Sequence, residues 1–246
     1  MDVKEKRLFD SVHRLLKTAV DTTATSSTAD ESDVVLMILD TFKRLLQWRE
    51  LHKLVPKYSI KPFLTCMMWS PQLASSVLQV FLMMKTRPTG LKSAEVGDKM
   101  EMLNKRTFAD DLGFQVLGSL LAQHHPSSVL LPSSTAEPIL QASLRIFHWT
   151  YVGNKHTSDA VTLDRVTDAL LNARLTLLHL AHHRPSPSSS IYPPPSSPSL
   201  RHIAADLLLE LFSVADVAQV TVLQDTARDC GALLYMLSHA LDTDIH

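Results

Sequence analysis

The 246-residue chain holds only six glycines and two cysteines, and its charges nearly cancel, with 24 Lys and Arg against 25 Asp and Glu for a formal net charge of −1. Each scarcity excludes something. Glycine averages roughly 7% of residues, about three times its share here, and β-hairpins, tight strand turns and phosphate-cradling loops all consume it. Gly90, Gly97 and Gly153 fall in connectors and Gly113, Gly118 and Gly231 inside helical patterns, so none is placed to cradle a phosphate. A G-x-S-x-G elbow, a P-loop and a dinucleotide fingerprint are all missing. Cys66 and Cys230 are too few and too isolated for a secreted disulfide scaffold, which points to a reducing compartment, the cytoplasm or the nucleus. A near-neutral balance argues against a general polyanion binder, so no nucleic-acid partner is expected. The most apolar stretches, Val34 to Leu39, Leu78 to Met84 and Leu207 to Leu211, fall far short of the ~20 residues of a membrane span. Met1 to Arg7 carries charges where a secretory signal needs an apolar region, so no membrane association is expected either.

What the chain does have is leucine and alanine at helical spacing along nearly its whole length. Leu8, Val12, Leu15, Leu16 and Ala19 form one face of a first helix, which ends in Thr22 to Ser27. A second helix starts near Thr28, whose spacing to Glu31 fits a capping box, and turns Val35, Ile38, Leu39, Phe42, Leu45 and Leu46 inward. Ser70-Pro71 reads as a cap followed by a first-turn proline, opening a helix through Leu73, Val77, Leu78, Phe81 and Leu82. After a connector from Thr86 to Gly97, one run carries Met100, Leu103, Phe108, Leu112, Val116, Leu117, Leu120 and Leu121 inward and sets Asp110-Asp111 on its polar side. Pro138 opens the next helix, and the longest run follows, from Val161 through Val166, Leu170, Leu171 and Leu178 to Ala181. Ser197-Pro198 opens another, and Leu223, Ala227, Cys230, Leu234, Leu237 and Leu241 form a last apolar seam.

About nine helices of roughly 10–25 residues and no strand pattern give an all-α fold, either stacked antiparallel helix pairs or a compact helical bundle. The helices pair at roughly 40-residue intervals, the middle elements have wide apolar faces, and the outermost helices have the most polar outer sides. In these respects the chain resembles the armadillo/HEAT class of helical-repeat proteins. The resemblance implies an α-solenoid that binds other proteins along a concave or lateral surface, a scaffold or adaptor rather than an enzyme. The expected organisation is a helical-repeat body over 1–184, a Pro/Ser-rich linker over 185–199 and a C-terminal helix pair over 200–246 packed on the body. A segment of a longer solenoid fits the same pattern.

Several residue groups are weighed for chemistry. His179 and His183 stand four apart on a helix, the spacing two zinc ligands use, which keeps an all-α enzyme or metal-binding bundle as the alternative. Leu180 stands where a metalloprotease helix carries Glu, however, and imidazoles at a helix C-terminus also suit its negative dipole end, so no metal or other cofactor is expected. Cys66 and Cys230 read as small core hydrophobes, and Asp110-Asp111 as a solvated face. Arg44, Arg49, Lys53, Lys57 and Lys61 form a basic cluster that suits a solvated face or a rim for an acidic protein partner. The linker is the sharpest signal. Tyr192, Pro193, Pro194, Pro195 and Pro198 suit a polyproline II ligand for an aromatic groove, or else a spacer, and Ser186 and Ser197 each precede proline and suit proline-directed phosphorylation.

Overall fold

A computed structural model of the chain describes residues 3–23, 29–48, 55–84, 94–123, 133–153, 155–182 and 198–229. Among the described residues there are eleven α-helices and no strand, which makes the protein all-α. The chain divides into two units, Met1–Gly113 with Asn154–Thr162, and Phe114–Gly153 with Leu163–His246.

The first unit contains α1 (Val3–Thr23), α2 (Ala29–Leu46), α3 (Lys61–Met67), α4 (Pro71–Met84) and α5 (Ala94–Asp110). A succession of edge-on and tilted aromatic contacts runs through its core, from Phe9 to Phe42 (5.5 Å between ring centres), Phe63 (5.0 Å), Phe81 (6.0 Å) and Phe108 (5.0 Å). Each of these five helices therefore supplies one ring. α4 begins as its sequence predicts, with Pro71 in the first turn and Ser70 Oγ accepting the Leu73 N–H at 3.2 Å.

Two faces differ from the sequence pattern. In α1 the buried set is Phe9, Val12, Leu16 and Val20, whereas Leu8 and Leu15 are 46% and 58% exposed. Seven-residue spacing puts these two leucines on one flank, so the apolar face of α1 is broader than the surface that covers it. The continuous run from Met100 to Leu121 is in fact two helices, broken at Asp111-Leu112. Leu112 takes the left-handed conformation (φ 66°) that ends α5, and Gly113 follows with no room for a side chain against the Phe108 ring. α5 also starts earlier than the connector reading allows, at Ala94.

The second unit holds most of α6 (Gly113–Gln123) and α8 (Ala160–Asn172), with α7 (Ser133–His148), α9 (Arg174–His182), α10 (Pro198–Val214) and α11 (Val217–Asp229). Helix α7 starts at Ser133 rather than at Pro138, which lies inside the helix, one turn past its start, and leaves the Ser134 carbonyl without its i→i−4 donor. A π turn over Trp149–Gly153 follows and buries Thr150 and Tyr151. The longest apolar run divides at Ala173 into α8 and α9. Gly118 lets α6 approach α8 closely, because a Cβ there would lie 2.6 Å from the Ala169 carbonyl oxygen. Thr176 Oγ1 donates to the Leu121 carbonyl at 2.9 Å and ties α9 to α6. α10 opens at Pro198, as the Ser197-Pro198 pair predicts. α11 opens on a reciprocal cap, the Gln219 N–H on Asp216 Oδ1 (2.8 Å) and the Asp216 N–H on Gln219 Oε1 (3.0 Å). No helix among the described residues is long and apolar enough to cross a membrane.

Candidate functional site

The densest polar constellation lies in the first unit, where α5 meets the short helical turn Lys155–Thr157. Glu101 and Lys105 are one turn apart on α5 and almost fully buried, at 4% and 0% exposure. Lys105 Nζ lies 3.1 Å from Glu101 Oε1 and donates to Thr157 Oγ1 at 2.6 Å. Thr157 Oγ1 in turn donates to Glu101 Oε1 at 2.9 Å, closing a triangle. An ammonium and a carboxylate withdrawn from water each require such partners, and the threonine hydroxyl serves both. At the next residue, Arg106 Nη1 donates to Asp159 Oδ2 at 2.8 Å, and Arg106 Nε donates to Asp110 at 3.1 Å. Asp159 also caps α8 by accepting the Thr162 N–H at 2.8 Å. Burial alone would raise the Asp159 carboxyl, but hydrogen bonds from Thr162 and Arg106 and the charge of Arg106 hold it below the usual carboxylate range. The same two carboxylates push the Arg106 guanidinium up, chiefly through the hydrogen bond to Asp159.

Lys105 Nζ, Glu101 Oε1 and Thr157 Oγ1 are directed at one another. Lys105 is sealed from solvent, so the triangle presents no amine or carboxylate to a substrate; it fastens the 155–159 segment to α5. Sequence reading missed it because Glu101 and Lys105 have the spacing of an ordinary solvent-facing helix pair. The residues assigned to the core beside them are the exposed ones, Leu103 at 45% and Leu112 at 50%.

A second junction surrounds the start of α3. Asp111 is half-buried and accepts the Ser59 hydroxyl (2.8 Å) and the Ile60 N–H (2.6 Å) through Oδ2, which corrects its reading as part of a solvated face. His13 of α1 bonds the Ser59 carbonyl through Nε2 at 3.0 Å, and its ring lies 4.9 Å from that of Tyr58. The cleft bordered by His13, Tyr58, Ile60 and Phe63 has room for about one water molecule, too little for an organic ligand.

The residues singled out from the sequence fall elsewhere. His179 is half-buried on α9, and Leu180 beside it is buried; His183 lies outside the described residues. Among the described residues no three His, Cys, Asp or Glu side chains cluster for a metal ion. Tyr192, Pro193, Pro194, Pro195, Ser186 and Ser197 lie outside the described residues, and Pro198 is the first residue of α10. Cys66 is fully buried, its Sγ 3.3 Å from the Phe63 carbonyl; desolvation pushes the thiol up to about 12, so it is not a nucleophile in the folded protein. Tyr151 is buried in the second unit. Its hydroxyl donates to Thr167 Oγ1 at 2.9 Å, because the threonine donates its own proton to the Leu163 carbonyl. Burial raises this phenol above its ordinary value.

No protein-family model matches the chain, and no curated protein or solved structure matches it either.

Proposed function

We propose that the protein is a non-enzymatic protein–protein interaction scaffold or adaptor of armadillo/HEAT-like construction, acting in the cytoplasm or nucleus. The observation that carries this reading is apolar surface left over by two packed helices of the first unit. α1 exposes Leu8 and Leu15 on one flank, and α2 exposes Val34 and Met37, at 51% and 70%, while both helices bury a full apolar face elsewhere. Large side chains in water at helical spacing are what a docking flank needs, and they contribute little to the fold that displays them. The helix contacts of this unit support the repeat construction. α1 packs on α2 and α3 on α4, while α1 also meets α3 and α2 also meets α4, the ladder expected of two stacked helix pairs.

The test replaces Leu8, Leu15 and Met37 with Gln and compares proteins captured by wild type and variant from a cell extract, quantified by mass spectrometry. Captured proteins should be lost from the variant at unchanged thermal stability. An identical set on both baits, or turnover on a substrate panel abolished by a point mutation, overturns the reading.

A further inference from the structure

The junction at the start of α3 combines features that local stability does not explain. Lys57 and Lys61 flank the Ser59-Ile60 pair, and Lys17 lies one turn beyond His13 on the same face of α1; all three are exposed. None of the three has an acidic partner within ion-pair distance among the described residues. Of the acids around this junction, Asp10, one turn before His13, is half-buried, Asp111 is half-buried with its Oδ2 held by two donors, and Asp110 is exposed but paired with Arg106, while exposed Asp21 lies one turn beyond Lys17. Directly after Asp111 comes Leu112. Its left-handed backbone disfavours most side chains with a Cβ, Gly and Asn being the usual occupants, yet a leucine stands there with half its surface in water. The Asp111–Ile60 hydrogen bond and chain geometry keep the Leu112 and Lys61 Cα atoms within about 15 Å of each other.

We infer that this junction is a docking surface for an acidic, extended segment of a partner protein, with carboxylates meeting Lys17, Lys57 and Lys61 and an apolar side chain seated on Leu112. Unpaired cations supply the complementary charge, and Leu112 supplies the desolvated anchor that a purely electrostatic site lacks. This inference rests on the interaction reading above and names the chemistry of one partner. A nucleic-acid strand would meet the same lysines but has no use for Leu112.

The experiment uses the full chain and a fluorescein-labelled peptide of about 12 residues, Glu and Asp around a central Leu pair, followed by fluorescence anisotropy. Control peptides carry Gln and Asn in place of the acids, or Ser in place of the leucines, and an oligothymidylate of equal length stands for nucleic acid. The acidic peptide should bind more tightly than any control, and more weakly as salt rises. Lys57→Glu with Lys61→Glu should weaken it about tenfold or more. Leu112→Asn should weaken it several-fold while shifting Tm upward by about 2–4 °C, since asparagine accepts the left-handed conformation. A merely structural Leu112 would give the Tm shift with no change in affinity. Equal binding of the oligonucleotide or the uncharged peptide, or unchanged affinity in the variants, overturns the inference. Absence of peptide binding overturns it too, and leaves the scaffold reading intact if the α1–α2 variant still loses its captured proteins.

Discussion

Replacing Lys105 by Met asks whether the buried triangle holds the first unit together. The ammonium has no solvent exposure and two short contacts, 3.1 Å to Glu101 and 2.6 Å to Thr157. Removing it leaves a carboxylate 4% exposed with the Thr157 hydroxyl as its remaining partner in the triangle. Breaking one side of a buried pair costs about 3–5 kcal/mol, because the surviving charge is left uncompensated. Thr157→Val keeps the ion pair and loses the bridging hydroxyl, at about 1–3 kcal/mol. Removing all three polar groups together, as Glu101→Met, Lys105→Met and Thr157→Val, leaves no buried charge and fills nearly the same volume, so the triple variant should recover most of the loss. Urea unfolding followed by circular dichroism reads this out. With a slope of about 2 kcal/mol/M, the single Lys105→Met variant should unfold about 1.5–2.5 M urea earlier than wild type, and the triple variant within about 0.7 M of it. A single variant indistinguishable from wild type, or a triple variant as unstable as the sum of its parts, refutes the closed-triangle argument.

Gly118→Ala places a methyl 2.6 Å from the Ala169 carbonyl oxygen and must push α6 and α8 apart, for a loss of about 1–3 kcal/mol in the same unfolding assay. The depressed Asp159 carboxyl gives an acid-side signature. Its stabilisation is complete above the ordinary carboxylate value, near pH 4, and is lost as pH falls through the lower folded value, so wild type should lose more stability than Asp159→Asn between about pH 5 and 2. The asparagine side chain in that variant retains an oxygen that caps α8; Asp159→Ala loses the cap as well, about 1 kcal/mol more at neutral pH. In a Cys230→Ser background, Cys66 should resist alkylation at pH 8, where a thiol pushed up to about 12 is roughly one part in ten thousand thiolate. Its labelling should then follow global unfolding with denaturant, and fast labelling under native conditions would contradict the buried environment.

The all-α class was legible in the sequence because helix formation depends on near neighbours: leucine spacing, scarce glycine, and start signals such as Ser70-Pro71 and Ser197-Pro198 act within one or two turns. Breaks were harder to read. The α5–α6 corner shows no Gly or Asn at the residue that turns left-handed, and Ala173 between α8 and α9 is an ordinary helix former, so neither break carries a signal at the residue where it occurs. Rotation about the helix axis was decided from outside. Leu8 and Phe9 are equally apolar, and the Phe42 and Tyr58 rings, at 5.5 Å and 5.1 Å, select Phe9 for the core.

The opposite inversion in α5 marks the boundary between the two kinds of information. By itself the sequence determined an all-helical chain, the apolar surface available to each helix, and a Glu–Lys spacing suited to an ion pair. Tertiary structure alone decided that Glu101 and Lys105 turn inward and Leu103 and Leu112 outward, because the hydroxyl that makes a buried ion pair tolerable comes from Thr157, some fifty residues away. The same holds for Asp111, whose donors Ser59 and Ile60 lie on another helix start. Charge in a low-dielectric interior is tolerated only with a specific partner, and a partner distant along the chain leaves no periodicity to read.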